Sequence, residues 1–324
     1  MLCGCGGGFD FVHSMILYPE LKRLGKKVVI ASYSFGDTGE IKGEAPVVFE
    51  EQLPDEPKRT VQVKRVTAES VPNKHYAPEI HMCSFLDQKY PQDAPHSIYA
   101  FYARFFTEPL LRKFYGQLVN DHQVDAILMM DGGSDSLVAS DEDGLGDPIE
   151  DCVSITAVAT LDDPRLHQNN KMLLVVGLGA DRFNGVSDGS TLRAVAELTQ
   201  GLSVEATSEG FQCYKDCVQH IYSRQSFRSV LTGCILAAAK GQYGHKVVPE
   251  GLEGRVRAGE AFVWPLMAML WAFDVNKVAR RSMLSNWIEK CATVGECYAA
   301  LGAERAKLEK EGRLRDVEHL PGQQ

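Results

Sequence analysis

Apolar positions along this chain follow two rhythms. Short unbroken runs occur within residues 27–32 (KVVIAS), 124–130 (VDAILMM) and 171–176 (KMLLVV). They are too short for helices and read as strands buried on both faces. Residues 2–5 form a further short strand at the head of the chain, and residues 59–67 alternate well enough for another. Helical spacing predicts helices over 11–24, closed by Gly25 as a C-cap, over 96–122, aromatic-rich and broken near Pro109, and over 149–161. Residues 36–58, rich in Gly, Pro and Glu, read as loop. Beyond residue 187 the pattern is mainly helical, over 190–200, 209–224, 226–240, 260–272, 274–291 and 293–311, with Gly241 and Gly244 interrupting it. The apolar stretch from Phe262 to Trp271 reads as a core helix.

The first strand, turn, helix and second strand make a βαβ unit of about 30 residues. Strands alternating with helices imply right-handed crossovers and a parallel sheet. The expected fold is therefore α/β: a doubly wound, mostly parallel Rossmann-like sheet over about 1–200 with a mainly helical part over about 201–315, in a single domain of 1–324. A chain near 300 residues buries roughly 75% of its unfolded surface, which is ample for one core.

Composition narrows the function. A net charge of -9 argues against nucleic acid as the main partner, because phosphate backbones demand a basic face. No stretch reaches about 18 uninterrupted apolar residues, so no membrane span is expected. No signal peptide is expected either. The nine cysteines are scattered, with no C-x-x-C pair, which speaks against structural zinc and for reduced thiols in a cytoplasmic protein. The expected partner is a small-molecule ligand, and a homo-oligomer is compatible with the chain.

The candidate chemistry lies where three strands end. In open α/β sheets ligands bind outside the carboxyl ends of the strands, so the loops at 6–8, 132–135 and 177–179 are expected to face one crevice. The first cluster, GCGGGFD, offers Gly6, Gly7, Gly8 and Asp10. Consecutive glycines let backbone N–H groups approach an anion at a helix start, and a tight turn with Asp10 as N-cap is the plain alternative. A dinucleotide fingerprint fails there because Phe9 stands at the third glycine, and the next strand ends in Ser34 without an acidic residue.

The second cluster, Asp131-Gly132-Gly133-Ser134-Asp135-Ser136, resembles the S-G-G-x-D-S loop of ATP pyrophosphatases at every position but the first. Asp131 replaces the leading serine there. Further carboxylates follow at Asp141, Glu142, Asp143, Asp147, Glu150 and Asp151. So many near one strand end suit Mg²⁺, a cationic group or a general base; a solvated acidic loop with Asp147 or Glu150 as helix cap is the alternative. Asp131, Ser134, Asp135, Asp141 and Glu142 are the catalytic candidates, with Asp135, Asp141 and Glu142 as metal ligands if a metal is used. The third cluster holds Gly177, Gly179, Asp181 and Arg182. Arg182 suits a two-pronged grip on a carboxylate or phosphate, or else a salt bridge to Asp181 or the acidic loop. His13, His220 and His245 are lone histidines and read as structural.

Taken in order, GCGGGFD, ASYSFGD, MDGGSDSLVASDEDGLGDPIED, VVGLGADRFNGVS and WPLMAMLWAFDVNKVARR resemble the domain of unknown function 1152 family across essentially the whole chain. The resemblance implies one Rossmann-like α/β domain and shared motif residues, with no established activity. The expected function is an enzyme on a small polar or anionic metabolite at the C-terminal edge of the sheet, with group transfer or hydrolysis favoured. The alternatives are an ATP-pyrophosphatase-like adenylating enzyme using a nucleotide with Mg²⁺, and a non-catalytic metabolite-binding protein. NAD-linked redox chemistry ranks below these, because both glycine fingerprints fail at their third position.

Overall fold

The apolar runs become the centre of one sheet. A computed structural model of the chain describes residues 1–324 except 54–59, 73–74, 168–169, 199–202, 206–207, 243, 245–246, 258–260 and 317–324. Its strands are β1 (Leu2–Gly7), β2 (Ile30–Ser34), β3 (Lys42–Gly43), β4 (Val47–Gln52), β5 (Thr60–Val66), β6 (Ser70–Val71), β7 (Ile98–Tyr102), β8 (Ile127–Asp131), β9 (Lys171–Val176), β10 (Ser203–Glu205) and β11 (Met269–Asp274). Nine of them form a sheet in the order β10-β11-β9-β8-β1-β2-β7-β5-β4, while β3 and β6 pair with each other. The five central strands, β9-β8-β1-β2-β7, run parallel. Two strands add antiparallel on each flank.

The helices are α1 (Asp10–His13), α2 (Tyr18–Arg23), α3 (Pro78–Lys89), α4 (Glu108–His122), α5 (Pro148–Ala159), α6 (Asp188–Leu198), α7 (Ser208–Tyr222), α8 (Val230–Ala239), α9 (Val275–Arg281), α10 (Met283–Ile288) and α11 (Val294–Lys310). They cover both faces of the sheet, and the strands alternate between them. Cys3, Met129, Leu173 and Val175 pack on one side with Tyr115 of α4 and Val153 of α5. Leu2, Met130, Leu174 and Val176 pack on the other with Val12 of α1, Leu86 of α3 and Tyr214 of α7. Burial on both sides explains why these strands read as unbroken apolar runs. Among the described residues, no helix is long and apolar enough to cross a membrane.

Several expectations change. Residues 96–122 are not one helix: Ile98–Tyr102 is a strand between β2 and β5, and α4 begins at Glu108 with Pro109 in its first turn. The I-Y-A-F-Y run is aromatic and β-branched, which suits a pleated surface better than a helix. The segment 260–272 is not a core helix either. Pro265 starts a single 3₁₀ turn, and Met269–Asp274 then pairs antiparallel with β9. The loop read at 36–58 contains β4, whose Phe49 is buried 5.5 Å from the Phe114 ring. The helix read at 11–24 is α1, a 3₁₀ turn and α2, with Pro19 at the start of α2. The helix read at 274–291 divides at Ser282 into α9 and α10. β10 and β11 lie in the part read as helical, so strands from both halves build the sheet. Arg59, at the head of the strand read at 59–67, and His245 lie outside the described residues, as do positions 199–200 at the end of the helix read at 190–200.

From β1 the chain winds to β2 and β7 on one side, then to β8 and β9 on the other. The winding therefore reverses between β1 and β8. The loops leaving these two strands diverge there and open a crevice.

Candidate functional site

The crevice is a cavity of about 260 Å³ above β1, β8 and β9. Gly7 and Gly8, Asp131 and Asp135, and Asp181 line it from the chain after β1, β8 and β9, whereas Gly6, Gly132, Gly133, Ser134, Gly177 and Gly179 do not. The Gly132 N–H donates to Asp10 Oδ1 at 3.2 Å, and the Gly179 N–H donates to Ser134 Oγ at 3.3 Å. The Ser134 N–H donates to Asp181 Oδ2 at 2.5 Å. Loops 6–8, 132–135 and 177–179 follow parallel strands on one edge of the sheet, and the last two are in direct contact.

Seven carboxylates line the cavity: Asp10, Asp131, Asp135, Asp147, Glu150, Asp151 and Asp181. Asp10 comes from the start of α1, Asp131 from the last position of β8, and Asp151 from the first turn of α5. One oxygen from each of these three lies within 4.8 Å of the others. Asp131 accepts from the Ser136 hydroxyl, and Asp135 accepts from the Asp147 N–H at 3.0 Å. Among the described residues, no lysine or arginine pairs with Asp10, Asp131, Asp135, Asp151 or Asp181. Arg255 is the only lysine or arginine among the described lining residues, and it is exposed at the rim.

This crowding sets the electrostatics. Burial, reinforced by the neighbouring Asp181, pushes Asp131 up to about 8. Burial and Asp131 push Asp135 up to about 7, and burial and Asp147 push Glu150 up to about 7. Asp10, Asp151 and Asp181 are raised well above the carboxylate range, again by burial first and by like charges second. Either protons or cations must neutralise such a set.

His13 stands beside it. Its side chain is 1% exposed and borders the cavity. Nδ1 is 3.9 Å from Asp10 Oδ1 and has no hydrogen-bond partner, while Nε2 meets Thr232 Oγ1 at 3.5 Å. Burial lowers its pKa to about 3, so the ring is neutral and offers a lone pair.

Other residues read from the sequence are placed differently. Asp141 and Glu142 lie outside the cavity. Asp141 is held by Arg315 at 2.9 Å, and Glu142 accepts from the N–H groups of Ala139 and Ser140 and from Arg315. Glu142 thereby holds Ser140 at a φ of 81°. Arg182 points away as well: it pairs with Asp188 and stacks 3.8 Å from the Phe262 ring centroid. Its partner is neither Asp181 nor the acidic loop. Asp10 does not cap a helix; α1 has only four residues and no side-chain cap, so its dipole adds little. Asp147 holds the cap position of α5 without a side-chain capping bond, and its Oδ1 accepts from Tyr298 Oη at 3.1 Å. Ser34 accepts from the Gly36 N–H at 3.2 Å and does not line the cavity. Gly132 and Gly133 are close-packed rather than open: an added Cβ would meet the His13 ring at 2.1 Å or Asp181 Oδ2 at 2.3 Å. The segment after the second cluster is a short 3₁₀ turn, Asp135–Leu137, and the next helix starts only at Pro148. The helix that a pyrophosphate-binding loop requires at that point is missing.

Sequence reasoning did not single out Asp151 from the acidic string, and it read His13 as structural. Asp151 belongs to an acidic string whose members look alike in sequence. His13 has no neighbouring motif, and only the packing of α1 against β8 brings it to Gly132. The aromatic residues of the rim, Phe35, Phe183 and Phe227, carried no signal.

No curated protein and no solved structure matches this chain. Residues 1–311 match the model of a family described as Protein of unknown function (DUF1152), and the chain belongs to that family.

Proposed function

We propose that the cavity is the active site of a divalent-cation-dependent enzyme that performs hydrolysis or group transfer on a small polar metabolite. The supporting observation is the trio Asp10, Asp131 and Asp151. Their oxygens lie within 4.8 Å of one another, without a lysine or arginine partner among the described residues. Carboxylate oxygens at this spacing suit Mg²⁺ or Mn²⁺, which take a few carboxylates and keep waters. The unpartnered Nδ1 of His13 is a second donor at the same place. A bound ion would supply Lewis acidity and a more acidic water. In this reading the chain's own residues do the rest. Asp135, fixed by the Asp147 N–H, is the candidate proton acceptor, and the aromatic rim limits water entry.

Titration of the full-length protein with Mg²⁺ and with Mn²⁺ by calorimetry tests this reading. One ion is expected to bind, raise the melting temperature and support turnover that chelation abolishes. Asp131→Asn and Asp151→Asn are each expected to weaken binding at least tenfold. Absence of both heat and stabilisation in the wild-type protein would falsify it.

A further inference from the structure

We infer that the organic ligand of this cavity is itself a cation, an ammonium or guanidinium compound, seated between the rings of Phe35 and Phe183 with Asp147 and Glu150 as counter-charges. This rests on the cavity being the site proposed above and concerns what enters beside the metal ion.

Six of the loop N–H donors that would hold an anion are already engaged. Gly6 N–H donates to Ser154 Oγ at 3.3 Å and Gly8 N–H to the Tyr33 carbonyl at 3.2 Å. Gly132 and Ser134 N–H groups donate to Asp10 and Asp181. Gly177 N–H donates to the Met267 carbonyl at 2.9 Å, and Gly179 N–H to Ser134 Oγ. Loops that look like anion cradles in sequence have turned these N–H groups onto the protein's own oxygens.

Charge points the same way. A divalent ion on Asp10, Asp131 and Asp151 leaves Asp135, Asp147, Glu150 and Asp181 facing the same space, opposed among the described lining residues only by Arg255. An anionic metabolite would face carboxyl groups almost alone there, whereas an organic cation would favour their ionised form and pair with it.

The rim supplies matching surfaces. Phe35 and Phe183 are 47% and 42% exposed, and both border the cavity. Aromatic faces attract cations, most strongly where water is excluded. The protein already uses this geometry nearby, with the Arg255 guanidinium 5.1 Å from the Phe227 ring centroid and that of Arg182 3.8 Å from Phe262. The unpartnered Nδ1 of the buried His13 borders the same space, so the polar floor is open to a ligand. A volume of about 260 Å³ admits a compact ligand.

Calorimetric titration of the full-length, Mn²⁺-loaded protein with guanidinium and benzyltrimethylammonium, against benzoate and inorganic phosphate, tests the inference. Both cations are expected to bind, and the two anions are not. Phe35→Ala, Phe183→Ala and Glu150→Gln are each expected to weaken the cations fivefold or more with an unchanged circular dichroism spectrum. Since Phe35 and Phe183 are exposed, their alanine variants are expected to retain the fold. Failure of both cations to bind, tighter binding of benzoate or phosphate, or unchanged cation affinity in all folded variants overturns the inference. Titration with Mn²⁺ alone separates the two readings. Cation binding without Mn²⁺ uptake removes the metal and leaves the cation seat; Mn²⁺ uptake without cation binding does the reverse.

Discussion

Gly6 carries two constraints at once. Its φ of 95° lies in the left-handed region, and an added Cβ would stand 1.9 Å from Asp151 Oδ1. Gly6→Ala is therefore expected to cost more than about 1 kcal/mol and to displace a carboxylate of the trio, which denaturation curves and Mn²⁺ titration would show together. Gly7 differs. Its φ is not in that region, and its Cβ would meet the Phe35 ring at 2.1 Å. Because the Phe35 ring is half exposed and can shift toward solvent at little cost, Gly7→Ala is expected to cost under about 1 kcal/mol while shifting organic-cation affinity. In sequence the three glycines suggested an anion's place, but the nearest neighbours of their missing side chains are a carboxylate and a phenyl ring. Asp10, Asp131, Asp135 and Asp181, which line the cavity, were legible as candidates because each ends or follows a strand. Asp141 and Glu142 were indistinguishable from them in sequence, since the arginine that draws them off sits at position 315. Glu142→Gln is accordingly expected to lose about 1–3 kcal/mol of stability with unchanged Mn²⁺ affinity. A Glu142→Gln protein of full stability that no longer binds Mn²⁺ would restore it to the site.

Among elements, α11 shows how a distant helix supports the acidic segment. Arg305 donates to the carbonyls of Ser140, Glu142 and Asp143 at 3.1, 2.7 and 2.8 Å. These carbonyls belong to the loop that links Asp135 to Asp147. Arg305→Ala is expected to destabilise the protein by about 1–3 kcal/mol and to speed amide exchange over residues 139–143 before exchange elsewhere. Uniform exchange across the chain would argue against a local clamp. The parallel strands β8 and β9 were legible because burial on both faces imposes unbroken apolar runs. β7 and β11 were not. Their runs also satisfy helical spacing, and what decides their conformation is the vacant edge offered by β2 and β5 in one case and by β9 in the other. Pairing partners remote in sequence outweigh local propensity there.

For the molecule as a whole, the carboxylate cavity ties stability to pH and, on the metal reading proposed above, to the ion as well. Burial and neighbouring carboxylates push Asp131 up to about 8 and Asp135 up to about 7, far above the 3.8 of an exposed aspartate. A raised carboxylate pKa gives stability that is complete at low pH and lost as pH rises through the folded value. Below about 6.5 the buried His13 opposes this, because its lowered pKa costs stability as pH falls. Metal-free protein is therefore expected to lose melting temperature between about pH 6.5 and 8, and saturating Mg²⁺ to abolish that loss. A flat profile in the presence of chelator would contradict the protonated cluster. Asp131→Asn is expected to gain on the order of 1 kcal/mol over wild type without metal near pH 8, and to gain less than wild type from added Mg²⁺. The same geometry has a topological consequence. Asp10, Asp131 and Asp151 belong to segments that are separate until the sheet has closed, and Asp181 adjoins them from a fourth. An ion shared by the trio, as proposed above, would work as a reversible cross-link, knotting the head of the chain to its middle much as a disulfide would, but with a strength set by ion concentration.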